Sequence, residues 1–341
     1  MTAATYTGTR TFTTAEPTVG PPGPGQVQIA VAYTGLCGTD LHIFHGDMDA
    51  RVTMPAVIGH EMSGTIAAVG TGVTGWSVGQ PVTVMPTLSC GLCPACRRGN
   101  THICHNLNFI GIDSEGSMQN SWNVSADILV ALPEGLALDE AALIEPTAVA
   151  VHDVRRSKLV VSDFVVVIGG GPVGQLIASV ALQQGARVVL VELDPGRRET
   201  ARGFGITTID PREENLVEYV LRETDGAGAD VAFEVSGAAA GVNSAVEVLT
   251  TRGRLVMVAI HPRPKEIDLH RFFWRELEMF GARLYQREDF EEAVRLVAAG
   301  ALPARQLISR VVALQDVEKG FLALESGGVM KVLVDCREVT A

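Results

Sequence analysis

Aromatic side chains are scarce in this 341-residue chain, 5% of it, against 47% hydrophobic and 19% charged residues. That balance belongs to an ordinary globular protein and excludes a disordered one. Positive charge is also short. With 27 basic and 39 acidic residues the formal net charge is −12, and so acidic a surface repels a phosphate backbone, which argues against a nucleic-acid partner. No basic amphipathic stretch is present to lie on a membrane. The opening MTAATYTGTR lacks a charged segment followed by an apolar one, so no secretory signal is read and a cytoplasmic location is expected. Internal repeats and low-complexity tracts are missing. One uncharged run, 164–186, is long enough to span a bilayer. It contains Gly169, Gly170, Gly171, Pro172 and Gly174, then Gln175, Gln183 and Gln184, and reads better as a buried strand, a turn and a helix.

The length suits two domains of roughly 150 residues each. Up to about residue 145 the pattern is mostly β: 26–34 alternates polar and apolar residues, and 62–69 and 80–85 are further strands. Residues 87–107 are dense in Cys, Gly and Arg without periodicity, which implies a loop that needs a staple. After a helix over 147–157, strands (164–168, 187–192, 231–234, 255–258) alternate with helices (172–184, 195–204), as in a parallel, doubly wound sheet. The rhythm breaks near Gly281. A helix over 289–299, a strand over 308–313, a helix from 316 and a strand over 331–335 follow.

The run Val165–Ile168 leads into Gly169-Gly170-Gly171-Pro172-Val173-Gly174, a G-x-G-x-x-G between a strand and a helix. The first glycine permits the tight turn, the second lets backbone approach a pyrophosphate, and the third lets helix pack on strand. Pro172 and Val173 open the helix whose free N–H groups face the phosphates. Glu192, at the end of the next strand, is placed to accept both adenosine ribose hydroxyls and to repel a 2′-phosphate, which favours NAD over NADP. Arg197 and Arg198 lie close enough to bind a phosphate and temper that preference. Asp194, just before Pro195, reads as a helix cap.

Cys90, Cys93, Cys96 and Cys104 place four soft ligands within fifteen residues, a closed tetrahedral site for structural zinc. Disulfides, free thiols or an iron–sulfur cluster are the alternatives. His102 and His105 flank the cluster and could replace a cysteine. Cys37, His60, Glu61 and Glu145 together supply a thiolate, an imidazole and carboxylates, a set that suits a catalytic zinc with an open position. Cys336 lies away from both sets and reads as a plain thiol.

In order, Cys37-Gly38-Thr39-Asp40-Leu41-His42, Gly59-His60-Glu61, the four-cysteine segment, Glu145-Pro146 and the Gly169–Gly174 loop resemble the zinc-containing medium-chain dehydrogenases over nearly the whole chain. The likeness is greatest to the sorbitol, butanediol and threonine dehydrogenase branch, where a glutamate follows the ligand histidine. The stretch from Glu145 to His152 looks more like the polyol and butanediol enzymes. The resemblance implies an α/β fold: a GroES-like β-rich catalytic domain (1–146) with a structural zinc lobe (87–107), a doubly wound Rossmann domain (147–284), and a return to the first domain (285–341). It implies two zinc ions per chain and NAD. Cys37, His60 and Glu61 become ligands of the catalytic zinc, with Glu145 either a fourth, exchangeable one or the residue that holds the metal-bound water. It also implies a proton relay from Thr39 through the cofactor ribose to His42, and a homotetramer or homodimer. The expected reaction is hydride transfer from a secondary alcohol or polyol to NAD⁺. An L-threonine-like amino alcohol is the second substrate class, and a non-catalytic NAD-binding protein the reading from another class. Arg283 and Arg287 both remain open as substrate contacts, and which alcohol is oxidised stays open with them.

Overall fold

The computed structural model describes residues 2–16 and 19–337. The chain forms two compact units. One holds the residues up to Glu145, Gln286–Ala299 and those from Ala304 onward; the other holds Pro146–Tyr285 and Gly300–Pro303.

The first unit is built on a seven-stranded sheet. Its path runs Leu129–Ala131, Pro81–Val84, Glu61–Val69, Gln26–Leu36, Lys331–Asp335, Ile308–Ala313, and Ser121–Ser125 also pairs with Gln26–Leu36. Neighbours are antiparallel except the final pair, Ile308–Ala313 with Lys331–Asp335. Chain segments some 300 residues apart therefore share one sheet: Leu36 pairs with Val332 and Gly35 with Leu333. A second small sheet joins Ala3–Gly8, Thr11–Ala15 and Ala56–Val57. The segment expected to be an unstructured loop holds a two-residue strand pair, a helical turn over Pro94–Arg97 and a 3₁₀ turn over Thr101–Ile103. These short pieces wrap the four cysteines.

The second unit is a six-stranded, all-parallel sheet in the order Thr207–Ile209, Arg187–Val191, Phe164–Ile168, Ala229–Glu234, Leu249–Met257, Glu278–Gly281. Numbered along the chain this is 3-2-1-4-5-6, the order in which two mononucleotide-binding halves meet at the first strand. Phe164–Ile168 is buried at every residue, which is why a central parallel strand reads as a continuous apolar run rather than an alternation. Val166, Ile168, Val189, Val191, Ala232 and Leu255 pack into one cluster with the covering helices. No helix among the described residues is long and apolar enough to cross a membrane. The uncharged run that met the length test divides into this strand, a turn and the helix Pro172–Gln183.

Candidate functional site

Strand Gln26–Leu36 ends just before Cys37, which caps the helix Gly38–Phe44. The Cys37 Sγ accepts the Thr39 backbone N–H at 3.2 Å, and the Asp40 carboxylate accepts the Cys37 N–H at 3.0 Å. A helix start with a donated N–H favours a thiolate, while burial pushes the Cys37 pKa up. Glu61 opens the adjacent strand and His60 immediately precedes it. His60 Nε2 lies 3.1 Å from Cys37 Sγ, and the ligand atoms of Cys37, His60 and Glu61 all fall within 4.8 Å of one another. Thiolate, imidazole and carboxylate at this spacing fit a zinc ion. Burial opposes charge on His60, yet Cys37 and Asp40 outweigh it and raise its pKa well above the ordinary value. A half-buried thiol and a buried imidazole in such close contact are what a divalent cation resolves, by displacing the protons between them. Glu145 is buried nearby, and its charge is felt at both His60 and Lys331.

Two residues around this cluster were not foreseen as part of it. Asp40 is fully buried, with Oδ1 3.5 Å from His60 Nδ1. It stands where a carboxylate orients a metal-ligating imidazole from behind. Lys331, from the last strand, places Nζ 2.7 Å from both Glu61 oxygens and 3.2 Å from the Leu36 carbonyl. Burial disfavours its charge, but Glu61 and Cys37 more than compensate, and its pKa is raised. Glu61 is thus held between an ammonium and the metal-ligand pair. Gly35, opposite Glu61 across the sheet, makes room for this: a Cβ there would lie 2.1 Å from a Glu61 oxygen. Asp40 was visible inside the Cys-Gly-Thr-Asp-Leu-His run. Nothing in the neighbourhood of Lys331 announces a partner 270 residues away.

In the cysteine lobe, Cys93 Sγ lies 3.5 Å from Cys96 Sγ and 3.8 Å from Cys104 Sγ, and Cys104 Sγ lies 3.4 Å from Cys90 Sγ. Two thiolates on one tetrahedral zinc, each about 2.3 Å from the metal, stand about 3.8 Å apart. Backbone N–H groups of Cys90, Cys93, His105 and Asn106 point at these sulfurs. The N–H groups of Cys96 and His105 bring the Cys93 thiol down to about 6, whereas burial and the neighbouring thiols push Cys96 up to about 11. Four sulfurs this close cannot all ionise without a cation, and the set fits structural zinc.

In the second unit Gly169 has φ +105° and packs on Ser236. A Cβ on Gly174 would lie 1.9 Å from the Gly169 carbonyl oxygen, while one on Gly171 would meet nothing nearer than Arg197 Nη1 at 4.0 Å. Pro172 is the first residue of the helix that starts after Gly171 and carries Val173 and Gly174 in its first turn. Glu192 accepts the Gly170 N–H at 2.7 Å and the Asp194 N–H at 2.8 Å. Arg197 Nη1 lies 3.8 Å from Glu192, so the carboxylate already offsets the cation that would favour a 2′-phosphate. Asp194 caps Pro195–Gly203 by accepting the Arg197 N–H. Arg198 is committed to Asp210 and to two backbone carbonyls. Of the relay residues, Thr39 is half-buried and His42 exposed, its Nδ1 3.0 Å from Asp47 Oδ2. Arg287 spends its guanidinium on Glu291 and on the carbonyls of Asp127 and Leu129.

A metal cluster of mixed ligands and a glycine-loop α/β unit in one chain define the class, a metal-dependent dehydrogenase. Residues 23–134 match the alcohol dehydrogenase GroES-like domain and residues 172–299 the zinc-binding dehydrogenase domain. The 2-dehydro-3-deoxy-L-galactonate 5-dehydrogenase of Pseudoalteromonas atlantica is 46% identical, over 98% of this chain and 99% of that one. Sorbitol dehydrogenase of Halalkalibacterium halodurans is 34% identical over 97% of each. The crystal structure of 2R,3R-butanediol dehydrogenase from Bacillus subtilis is 30% identical, covers 98% of this chain and 99% of its own, and superposes with a TM-score of 0.90. The chain belongs to the zinc-containing medium-chain dehydrogenases, with a GroES-like unit and a Rossmann unit, and it is an oxidoreductase of the alcohol and polyol branch.

Proposed function

We propose that this chain oxidises a secondary hydroxyl of a polyhydroxylated acid to a ketone, with NAD⁺ as hydride acceptor. The observation that carries the reading is the grouping of Cys37, His60 and Glu61 in the first unit. These three residues, with Glu145 as the exchangeable fourth, would hold a zinc ion that would supply a Lewis acid for the alcohol, and a bound nicotinamide would supply the hydride acceptor. Thr39 would take the hydroxyl proton as it gives up its own, and His42, braced by Asp47, would release a proton to solvent. Asp40 fixes the His60 ring and Lys331 sets the share of Glu61 left for the metal. In the second unit Gly169, Gly171 and Gly174, with Pro172 and Val173 at the helix start, admit the pyrophosphate. Glu192 holds the adenosine ribose. Arg197 positions that carboxylate, and the pair favours NAD over NADP. The 46% relative acts on a sugar acid and the 34% relative on a neutral polyol, so the acid is placed first.

Cys90, Cys93, Cys96 and Cys104 hold the second, structural zinc. Reduced thiols fit a cytoplasmic location. Self-association as a homotetramer or homodimer is supported by the second unit, where Ile260, Leu269, Phe273, Trp274 and Met279 are exposed on and around the terminal strand Glu278–Gly281. Large apolar side chains exposed near an edge strand suit an interface.

The test is a screen of NAD⁺ reduction on 2-dehydro-3-deoxy-L-galactonate, sorbitol, 2,3-butanediol and L-threonine, with metal analysis of the same sample. Two zinc ions per chain and turnover highest on the acid are expected. Full activity of Cys37→Ser after loss of one zinc would defeat the mechanism. Turnover on L-threonine alone would replace the substrate class.

A further inference from the structure

We infer that His261, held by Glu234, is a contact for the ribose of the nicotinamide half of the bound dinucleotide. The inference rests on the reading of the second unit as a dinucleotide site and adds a residue to it. Glu234 ends the fourth parallel strand and is fully buried. One carboxylate oxygen accepts the backbone N–H groups of Ser236 and Gly237, each at 3.0 Å, and the Ser236 hydroxyl. That turn is the one that packs on Gly169 at the start of the phosphate loop. The Glu234 carbonyl accepts two further N–H groups, from Val258 at 3.0 Å and Ala259 at 3.1 Å. The chain leaving the fifth strand is thereby tied to Glu234, and His261 Nε2 arrives 3.1 Å from the second carboxylate oxygen, Oε2.

That approach lies off the line of a hydrogen bond. Glu234 Oε2 and both ring nitrogens of His261 are buried without a hydrogen-bond partner. Three such atoms on one facing pair are costly unless a ligand completes them. Their place says which ligand. In the 3-2-1-4-5-6 order the first three strands carry the adenosine half and the ends of the fourth and fifth carry the other mononucleotide. The chemistry narrows it further. A small turn of the ring lets Nε2–H donate to Glu234, and the tautomer so fixed leaves Nδ1 an acceptor. Its complement is a hydroxyl donor, which a ribose offers and an ionised pyrophosphate does not.

The experiment uses the full-length, zinc-loaded protein and a ladder of probes: AMP, ADP, ADP-ribose and NADH, titrated by calorimetry. The distal ribose enters the ladder between ADP and ADP-ribose. His261→Phe keeps an aromatic ring in place and removes the acceptor. It is expected to weaken ADP-ribose and NADH about tenfold, the equivalent of one hydrogen bond, and to leave AMP and ADP unchanged. His261→Asn, whose amide oxygen can stand in for Nδ1, is expected to retain more of the affinity. Equal weakening of all four probes, or of none, overturns the inference. Wild-type protein that binds neither ADP-ribose nor NADH overturns the dinucleotide reading itself.

Discussion

Replacing Gly171 and Gly174 separately by alanine pulls apart two reasons for glycine that the phosphate loop superimposes. Gly171 has φ −67° and ψ −179°, open to any residue, and a methyl group there meets no protein atom within 3.9 Å. The fold therefore has no objection to Gly171→Ala, and the stiffer unfolded chain stabilises the variant by about 0.4–1 kcal/mol. The same methyl stands where backbone must face a pyrophosphate, so NADH binding should weaken by on the order of 10- to 100-fold, about 1.4–2.7 kcal/mol. Gly174→Ala reverses the pattern. Its methyl would lie 1.9 Å from the Gly169 carbonyl oxygen, when even the shortest ordinary C···O contacts run to about 3.3 Å. Helix and strand must separate by more than an ångström, an overpacking cost of about 1–3 kcal/mol. Better helix propensity returns at most about 1 kcal/mol of that. At roughly 2–4 °C per kcal/mol for a unit of this size, the melting point should fall by several degrees. Calorimetric melts and NADH fluorescence titrations of both variants read the two effects. Undiminished NADH affinity in Gly171→Ala, or an unchanged melting point in Gly174→Ala, would refute the assignment of the loop.

Lys331→Met strands the Glu61 carboxylate in a dry site, which should destabilise metal-free protein by about 3–5 kcal/mol. Zinc gives that carboxylate another partner, so the melting point of the variant should depend on chelator far more than that of the wild type. Cys93→Ser is expected to lower zinc content by one ion per chain and to open residues 87–107 to protease while the second unit still binds NADH. Side-chain hydrogen bonding from Arg212, with Arg198 close by, holds the Asp210 carboxyl well below its usual range. Its stabilisation is present above the ordinary carboxylate pKa and is lost as pH falls toward the depressed native value. Asp210→Asn should therefore be less stable than wild type near pH 7, and urea unfolding should show the gap closing below about pH 4.

Residue type and local order carried most of the architecture. Phe164–Ile168 and Val188–Val191 are apolar runs of five and four residues ending at glycine or acid, and they read as central strands without help. Thr207–Ile209 and Glu278–Gly281, the two edge strands of the same sheet, did not: three or four residues, partly exposed, leave no period to detect. Leu216–Glu223 and Ala239–Glu247 were also passed over, the second because Ala, Gly and Ser carry little amphipathic signal. At the site, Cys37, His60 and Glu61 were recognisable because metal-binding side chains are few and chemically distinct. Lys331 and His261 were not. Each acquires meaning only from a carboxylate brought to it by sheet formation, and lysine at the head of a strand or histidine in a Pro-rich loop is unremarkable on its own.

Because Lys331 holds Glu61 of the metal cluster, the first unit closes only when the last strand among the described residues has been made. On the ribosome Pro146–Pro303, which holds all of the Rossmann unit, emerges while its companion, begun earlier, still waits for the strand Lys331–Asp335 beside Leu36. Birth order and completion order are thus inverted. Loss of the strand Lys331–Asp335 removes the keystone of the zinc-binding half.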